Sequence, residues 1–227
     1  MKFMLRGSFL CGFLLFFSLV ACKIKPSEAA AQFANPREAL IKALKSKLEA
    51  RSYRTKVVQD TPGADLSSVT EAEYVKPDKV HATVTSLNKP DVKFETILIG
   101  QDAYVNSSGQ WSKKLVEPEK LGSMTRQDQT AIDNLTKSAD DGVTMVGRES
   151  VNGKEMVIFH YVSAVDMPGL QSSVKSETKT WIGIADGLPC KTEMKIDATY
   201  KGKAMPRMTM TTTVWDYNAE MKIVAPI

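Results

Sequence analysis

The chain has 227 residues and a mass of 25.0 kDa, enough for one large domain with a sizeable core or for two small ones. Its 43% hydrophobic and 25% charged residues describe a soluble globular body rather than a fibrous or disordered one. The formal net charge is +4, but Lys2 and Arg6 stand in an acid-free leader, so the remainder carries 28 basic against 26 acidic residues. That surplus is too small for nucleic acid to be the main partner, and two histidines are too few for a histidine-built catalytic or metal centre.

Lys2 and Arg6 precede an apolar run, Phe9–Val20. Twelve residues at 1.5 Å each cover roughly 18 Å, short of a ~30 Å hydrocarbon core, so the run reads as a signal peptide and not as a permanent span. It ends in Leu19-Val20-Ala21-Cys22, which resembles the bacterial lipobox. That resemblance implies removal of residues 1–21, a diacylglycerol thioether on Cys22 and a further acyl chain on its amine. Two or three chains anchor firmly where one does not. The alternative is an ordinary leader with an incidental cysteine at its boundary. Of the other two cysteines, Cys11 lies in the leader and Cys190 alone in the body, so an acylated Cys22 leaves no intrachain disulfide. Cys190 is read as a buried small hydrophobe.

Residues 22–34 read as the acylated N-terminus and a tether, and 35–227 as one domain. Asn35-Pro36-Arg37-Glu38 is a helix start, with a capping Asn, Pro at the first helical position and an acid in the first turn. The spacing of Leu40, Ile41, Leu44 and Leu48 predicts an amphipathic helix over about 36–51. From Ser52 the period becomes two. Strands are predicted at 53–58, 70–75, 79–86, 92–99, 103–106, 143–150, 155–163, 176–184, 191–200, 208–217 and 222–224. Asn152-Gly153 and Asp186-Gly187 are hairpin signals, and close hairpins mean antiparallel neighbours. Residues 118–141 break the pattern, and Gln127–Ser138 reads as a second helix with Ile132 and Leu135 on one side. The whole predicts a mainly antiparallel α+β fold, a strongly curved meander of about ten or eleven strands.

The strand faces are not simply oil and charge. Phe94 and Leu98 share one face of their strand. Met156 and Ile158 share one face of theirs, and Val157, Phe159 and Tyr161 take the other, so one side lines the concave interior and the other is covered. Met194 lies with Ile196, and Met208 with Met210 and Val214. These unbranched side chains suit either a deformable acyl-chain pocket or plain core filling. His81 and His160 stand apart from any metal-ligand motif, His160 reading as a satisfied polar group in the core, and Asp140-Asp141 as a solvated turn. No G-x-S-x-G, Walker loop, H-E-x-x-H or C-x-x-C occurs, so an enzyme has no positive support, and no cofactor or metal is implied.

Glu73–Val80, the run Ile99-Gly100-Gln101-Asp102-Ala103-Tyr104-Val105 with Trp111, and Trp181-Ile182-Gly183-Ile184 with Asp186-Gly187-Leu188-Pro189 resemble hairpins of the LolA/LolB-like superfamily, the group of the mycobacterial LppX and LprG lipoproteins. The resemblance implies an unclosed β-barrel with helices over its concave face and an apolar cavity for acyl chains. Its expected lining is Leu40, Leu44, Phe94, Leu98, Ile132, Leu135, Met156, Ile158, Ile182, Met194, Met208 and Met210. The expected function is a membrane-anchored lipoprotein that binds lipid or lipoprotein acyl chains for transport or presentation in the cell envelope. Lys23 after Cys22, in place of a retention aspartate, points to the outer membrane where the organism has one. The alternative is an envelope lipoprotein that uses the same fold to dock a protein partner.

Overall fold

Asn35 sets the first helix as its sequence predicts. Its side-chain oxygen accepts from the Glu38 amide at 3.2 Å, and Pro36 takes the first helical position, where a missing N–H costs nothing. This helix, α1, runs Pro36–Glu49 and ends at Ala50, whose extended backbone (ψ 138°) leads directly into a strand. The computed structural model describes residues 33–63, 67–116, 118–137, 142–167, 169 and 171–227, with side chains in the second helix from 128 onward. The leader, Cys22 and Asp140-Asp141 lie outside the described residues.

The strands are β1 (Ser52–Asp60), β2 (Ser68–Val75), β3 (Lys79–Ser86), β4 (Lys93–Ile99), β5 (Asp102–Ser107), β6 (Gln110–Leu115), β7 (Thr144–Val151), β8 (Lys154–Met167), β9 (Ser172–Gly183), β10 (Pro189–Tyr200), β11 (Lys203–Ala204) and β12 (Met208–Trp215). All pair antiparallel in the order β6-β5-β4-β3-β2-β1-β12-β10-β9-β8-β7, with the two-residue β11 beside β10. Two meanders are thus joined where β1 meets β12. The strands consecutive in the chain at the middle, β6 and β7, are the two outer edges, and the second helix, α2 (Pro118–Lys137), connects them. Ten spacings of about 4.8 Å separate those edges along the sheet. A 20-residue helix covers about 30 Å of it, so a curled sheet with α2 across its inner face satisfies the connection. The result is the unclosed barrel-like sheet with covering helices that the sequence implies.

The tight turns follow their chemistry. Val151 pairs with Lys154 across Asn152 (φ 51°) and Gly153 (φ 77°), a two-residue turn whose left-handed backbone matches strand twist. The Asp186-Gly187 signal belongs instead to a longer connection between Gly183 and Pro189. Asp186 folds its carboxylate back over Gly183, where a Cβ would collide with it, and accepts from the Leu188 amide at 3.1 Å.

The inner face of β8 is its odd-numbered one. Val157 and Phe159 pack with Leu40, Ala43 and Leu44 of α1, Ile132 and Leu135 of α2, Ile182 of β9 and Val143. Phe33, read from the sequence as tether, is buried here too, its ring 5.9 Å from that of Phe159. A second cluster, Val80, Leu98 and Ala103, lies on the same face of β3–β5, and a third, Ile97, Tyr104 and Ile223, on the outer face.

Three expectations need correction. Residues 222–224 are not a strand: the tail after β12 is irregular, tied down by Ser52 O accepting from the Asn218 amide at 2.8 Å, and Ile223 reaches the sheet by side-chain burial alone. β6 is an additional strand, hidden in the sequence because an edge strand with exposed Lys113 and Lys114 has no apolar alternation. α2 begins nine residues earlier than its apolar pair Ile132/Leu135 indicates.

Candidate functional site

Where α2 stops, the inner face of β8–β10, β12 and β1 is left partly uncovered, and a cavity of about 900 Å³ opens there. Its size is toward the upper end of small-molecule pockets, about 300–1,000 Å³. The strand registers build its floor in two rows. Tyr161, Thr178, Met194, Met210 and Gln59 stand side by side across five strands, and Ser163, Ser176, Ile196 and Met208 form the next row. The helical wall is Thr130, Ala131, Asn134, Leu135 and Lys137, with Arg37 of α1 at the rim.

Apolar side chains dominate this lining, and its polar members are mostly neutral. Ser163 and Ser176 satisfy each other, hydroxyl to hydroxyl at 2.7 Å. Thr178 is fully buried in the floor and its Oγ1 makes no hydrogen bond of normal geometry. Burial pushes the Tyr161 phenol above its ordinary range, Thr178 beside it acting in the opposite sense. Arg37 does not float free at the rim: its Nε donates to Leu135 O at 2.6 Å and its Nη2 to Thr136 O at 3.1 Å, capping the negative end of α2. The chamber therefore has a deformable methionine floor and mostly uncharged walls, Arg37 and Lys137 being the charged residues of its lining, an arrangement suited to holding a flexible apolar chain.

Of the residues expected in such a cavity, the structure brings together Leu135, Met194, Met208 and Met210. Leu40, Leu44, Ile132 and Ile182 are instead in the packed core beside it. Leu98 is on the inner face but belongs to the separate β3–β5 cluster, and Phe94, on the same strand, is half exposed. Met156 and Ile158 are the correction: they lie on the outer face, Met156 opposite Gly183 and Ile158 opposite Trp181. β8 is apolar on both faces, so its sequence does not say which face meets the helices, and the odd one does. Tyr161 and Ile196 are lining residues that periodicity flags without selecting, and Val165 joins them because β8 runs four residues past its predicted end at 163.

His160, on the outer face, is half-buried and 3.2 Å from the Glu177 carboxylate, so it is satisfied but not in the core. His81 similarly meets Glu95 at 2.8 Å. Cys190 is half-buried with its Sγ 3.4 Å from Met156 Sδ. Among the described residues no three His, Cys, Asp or Glu side chains are grouped to hold a metal ion.

No protein-family profile and no curated protein sequence matches the chain. Solved structures do. An unclosed antiparallel sheet with helices over its inner face is the fold of LprF from Mycobacterium bovis, which superposes with a TM-score of 0.59 over 85% of this chain and 97% of that one at 15% identity. The Mycobacterium tuberculosis lipoprotein LppX superposes with a TM-score of 0.52 over 83% and 98% of the two chains at 14% identity. The likeness to the LolA/LppX group thus holds at the level of the fold, over nearly the full length of both solved chains.

Proposed function

We propose that the protein is a cell-envelope lipoprotein that takes up an acyl chain of a lipid or an acylated lipoprotein in the cavity between α2 and β8–β12, for transport or presentation. The observation that carries this reading is the cavity itself, about 900 Å³ with Met194, Ile196, Met208 and Met210 in its floor. Methionines conform to an irregular, mobile chain better than branched residues do. Each methylene transferred from water is worth ~0.8 kcal/mol, so a dozen buried methylenes gain about 10 kcal/mol before ordering costs. Affinity on that scale requires no catalytic group. The lipobox residues Leu19–Cys22 support removal of residues 1–21 and anchoring through lipid on Cys22, and Lys23 favours the outer membrane in a two-membrane envelope.

The test is binding of a fluorescent long-chain fatty acid to the purified protein, with Met194→Arg as the disabling variant. A charge placed among apolar walls should weaken binding by about 100-fold while circular dichroism stays unchanged. Equal binding by the variant, or none by the parent, would refute the reading.

A further inference from the structure

Beyond the row of Ser163, Ser176 and Ile196, the inner face of β8–β10 extends for two more rows that stand partly exposed, with Val165 at the cavity's edge. Val165, Val174 and Ala198 form the first, and Met167, Ser172 and Tyr200 the second. The β8–β9 and β10–β11 hairpins therefore end side by side, and Met205 is tied to the same place by its amide donating to Ala198 O at 2.8 Å. Val165 is 47% exposed and Tyr200 and Met205 50% each. An apolar stripe that starts in the cavity thus continues into water at the hairpin tips.

The charge at the β10–β11 tip is basic. Lys201 and Lys203 follow Tyr200 there, whereas Lys175 and Asp197 share the outer face, and Arg207 holds Asp197 through two bonds of 2.7 and 3.0 Å. Lys201 lies over the Tyr200 ring, 5.3 Å from its centroid, and neither it nor Lys203 pairs with a carboxylate among the described residues. Tyrosine with its apolar body and polar tip settles at a membrane interface, and adjacent lysines keep their stems in the apolar zone and their ammonium groups among anionic headgroups.

We propose that these paired tips dock on an anionic lipid surface, with Tyr200, Met205 and Val165 entering the headgroup region and Lys201 and Lys203 meeting lipid phosphates. The exposed stripe is then the path along which an acyl chain passes between bilayer and cavity. The path rests on the acyl-chain reading of the cavity, whereas the docking is measured separately.

The experiment uses the full protein with Tyr200→Trp, purified from its membrane and reconstituted on vesicles of equimolar phosphatidylcholine and phosphatidylglycerol. Met205→Trp serves as a second probe should the first misfold. The native Trp181 and Trp215 lie toward the opposite ends of their strands and Trp111 on the far edge strand β6, so they supply the unquenched background. The expected result is that brominated acyl chains quench the added indole and leave that background untouched. Lys201→Ser with Lys203→Ser should weaken docking by about 25-fold, near fivefold for each lysine, and added salt should do the same. An added indole that is unquenched on these vesicles at either position overturns the docking surface, even if the protein binds fatty acid in solution. Quenching in a protein that binds no acyl chain would sustain the surface and refute the cavity reading.

Discussion

Lys47 of α1 and Asp128 of α2 meet at 2.7 Å with only 14% and 22% of their side chains exposed. At the other end of α1, Arg37 caps α2 at Leu135 and Thr136, so the two helices run antiparallel and both ends of α1 are pinned to the C-terminal half of α2. The Lys47 ammonium is also 5.4 Å from the centroid of the Tyr53 ring, which joins this clamp to β1. α2 forms the cavity's helical wall, so the clamp decides how firmly that wall is held.

Breaking a largely buried pair strands the remaining charge, whereas replacing both partners removes the problem. Lys47→Met and Asp128→Leu should each lower stability to urea by about 1–2 kcal/mol, and the double variant should lose less than the sum, with a coupling near 1 kcal/mol. Additive losses would show that the pair contributes nothing as a pair.

Tyr53 stacks on Tyr74 at 4.7 Å between centroids and lies 5.9 Å from Tyr217, and burial raises all three phenols, Asp128 adding to the effect on each. Unfolded tyrosines ionise near pH ~10, and the folded ones hold their protons above that. Stability is therefore complete below about pH 10 and falls as pH rises past it, by roughly 1.4 kcal/mol per pH unit for each tyrosine kept neutral. Urea midpoints measured across that range should drop, and the phenolate absorbance contributed by Tyr53, Tyr74 and Tyr217 should appear together with unfolding.

The two methionine classes separate in a single comparison. Met156 is 2% exposed on the outer face, so Met156→Ala should cost about 2–5 kcal/mol and leave fatty-acid affinity unchanged. Met210→Ala, in the half-open floor, should do the reverse: a small loss of stability and a clear loss of affinity.

Burial pushes the Cys190 thiol above its ordinary range, with the Asp186 charge adding to this. Its thiolate is scarce at pH 8, so iodoacetamide should modify the native protein at least tenfold more slowly than the urea-unfolded chain. Equal rates would place the sulfur in open solvent.

Much of this fold is legible in the chain itself. Asn35-Pro36 gave the helix start to the residue, and the period-two runs with their Gly turns gave most of the strands, because both rest on local chemistry. The edge strand β6 and the tail at Ile223 are not legible, since the first is fixed by pairing with β5 and the second by burial against the sheet and not by their own patterns, and the early turns of α2 lack the apolar spacing that marks its later ones. For the site, Met194, Met208 and Met210 were visible as a group only to the extent that strand parity could be trusted. Their adjacency depends on the β1–β12 and β10–β12 registers, which join residues far apart in the sequence. Met156 falls on the outer face for the same reason: parity separates the faces of β8 but does not say which one the helices cover.

The central claim, that the cavity holds an acyl chain, is tested most directly by native mass spectrometry of the mature protein with organic extraction of whatever it carries. Discrete added masses that extract as phospholipid or acylated glycolipid, and that are absent from Met194→Arg, are the predicted result. A protein that shows only its own covalent mass, and that binds no added fatty acid, would contradict it.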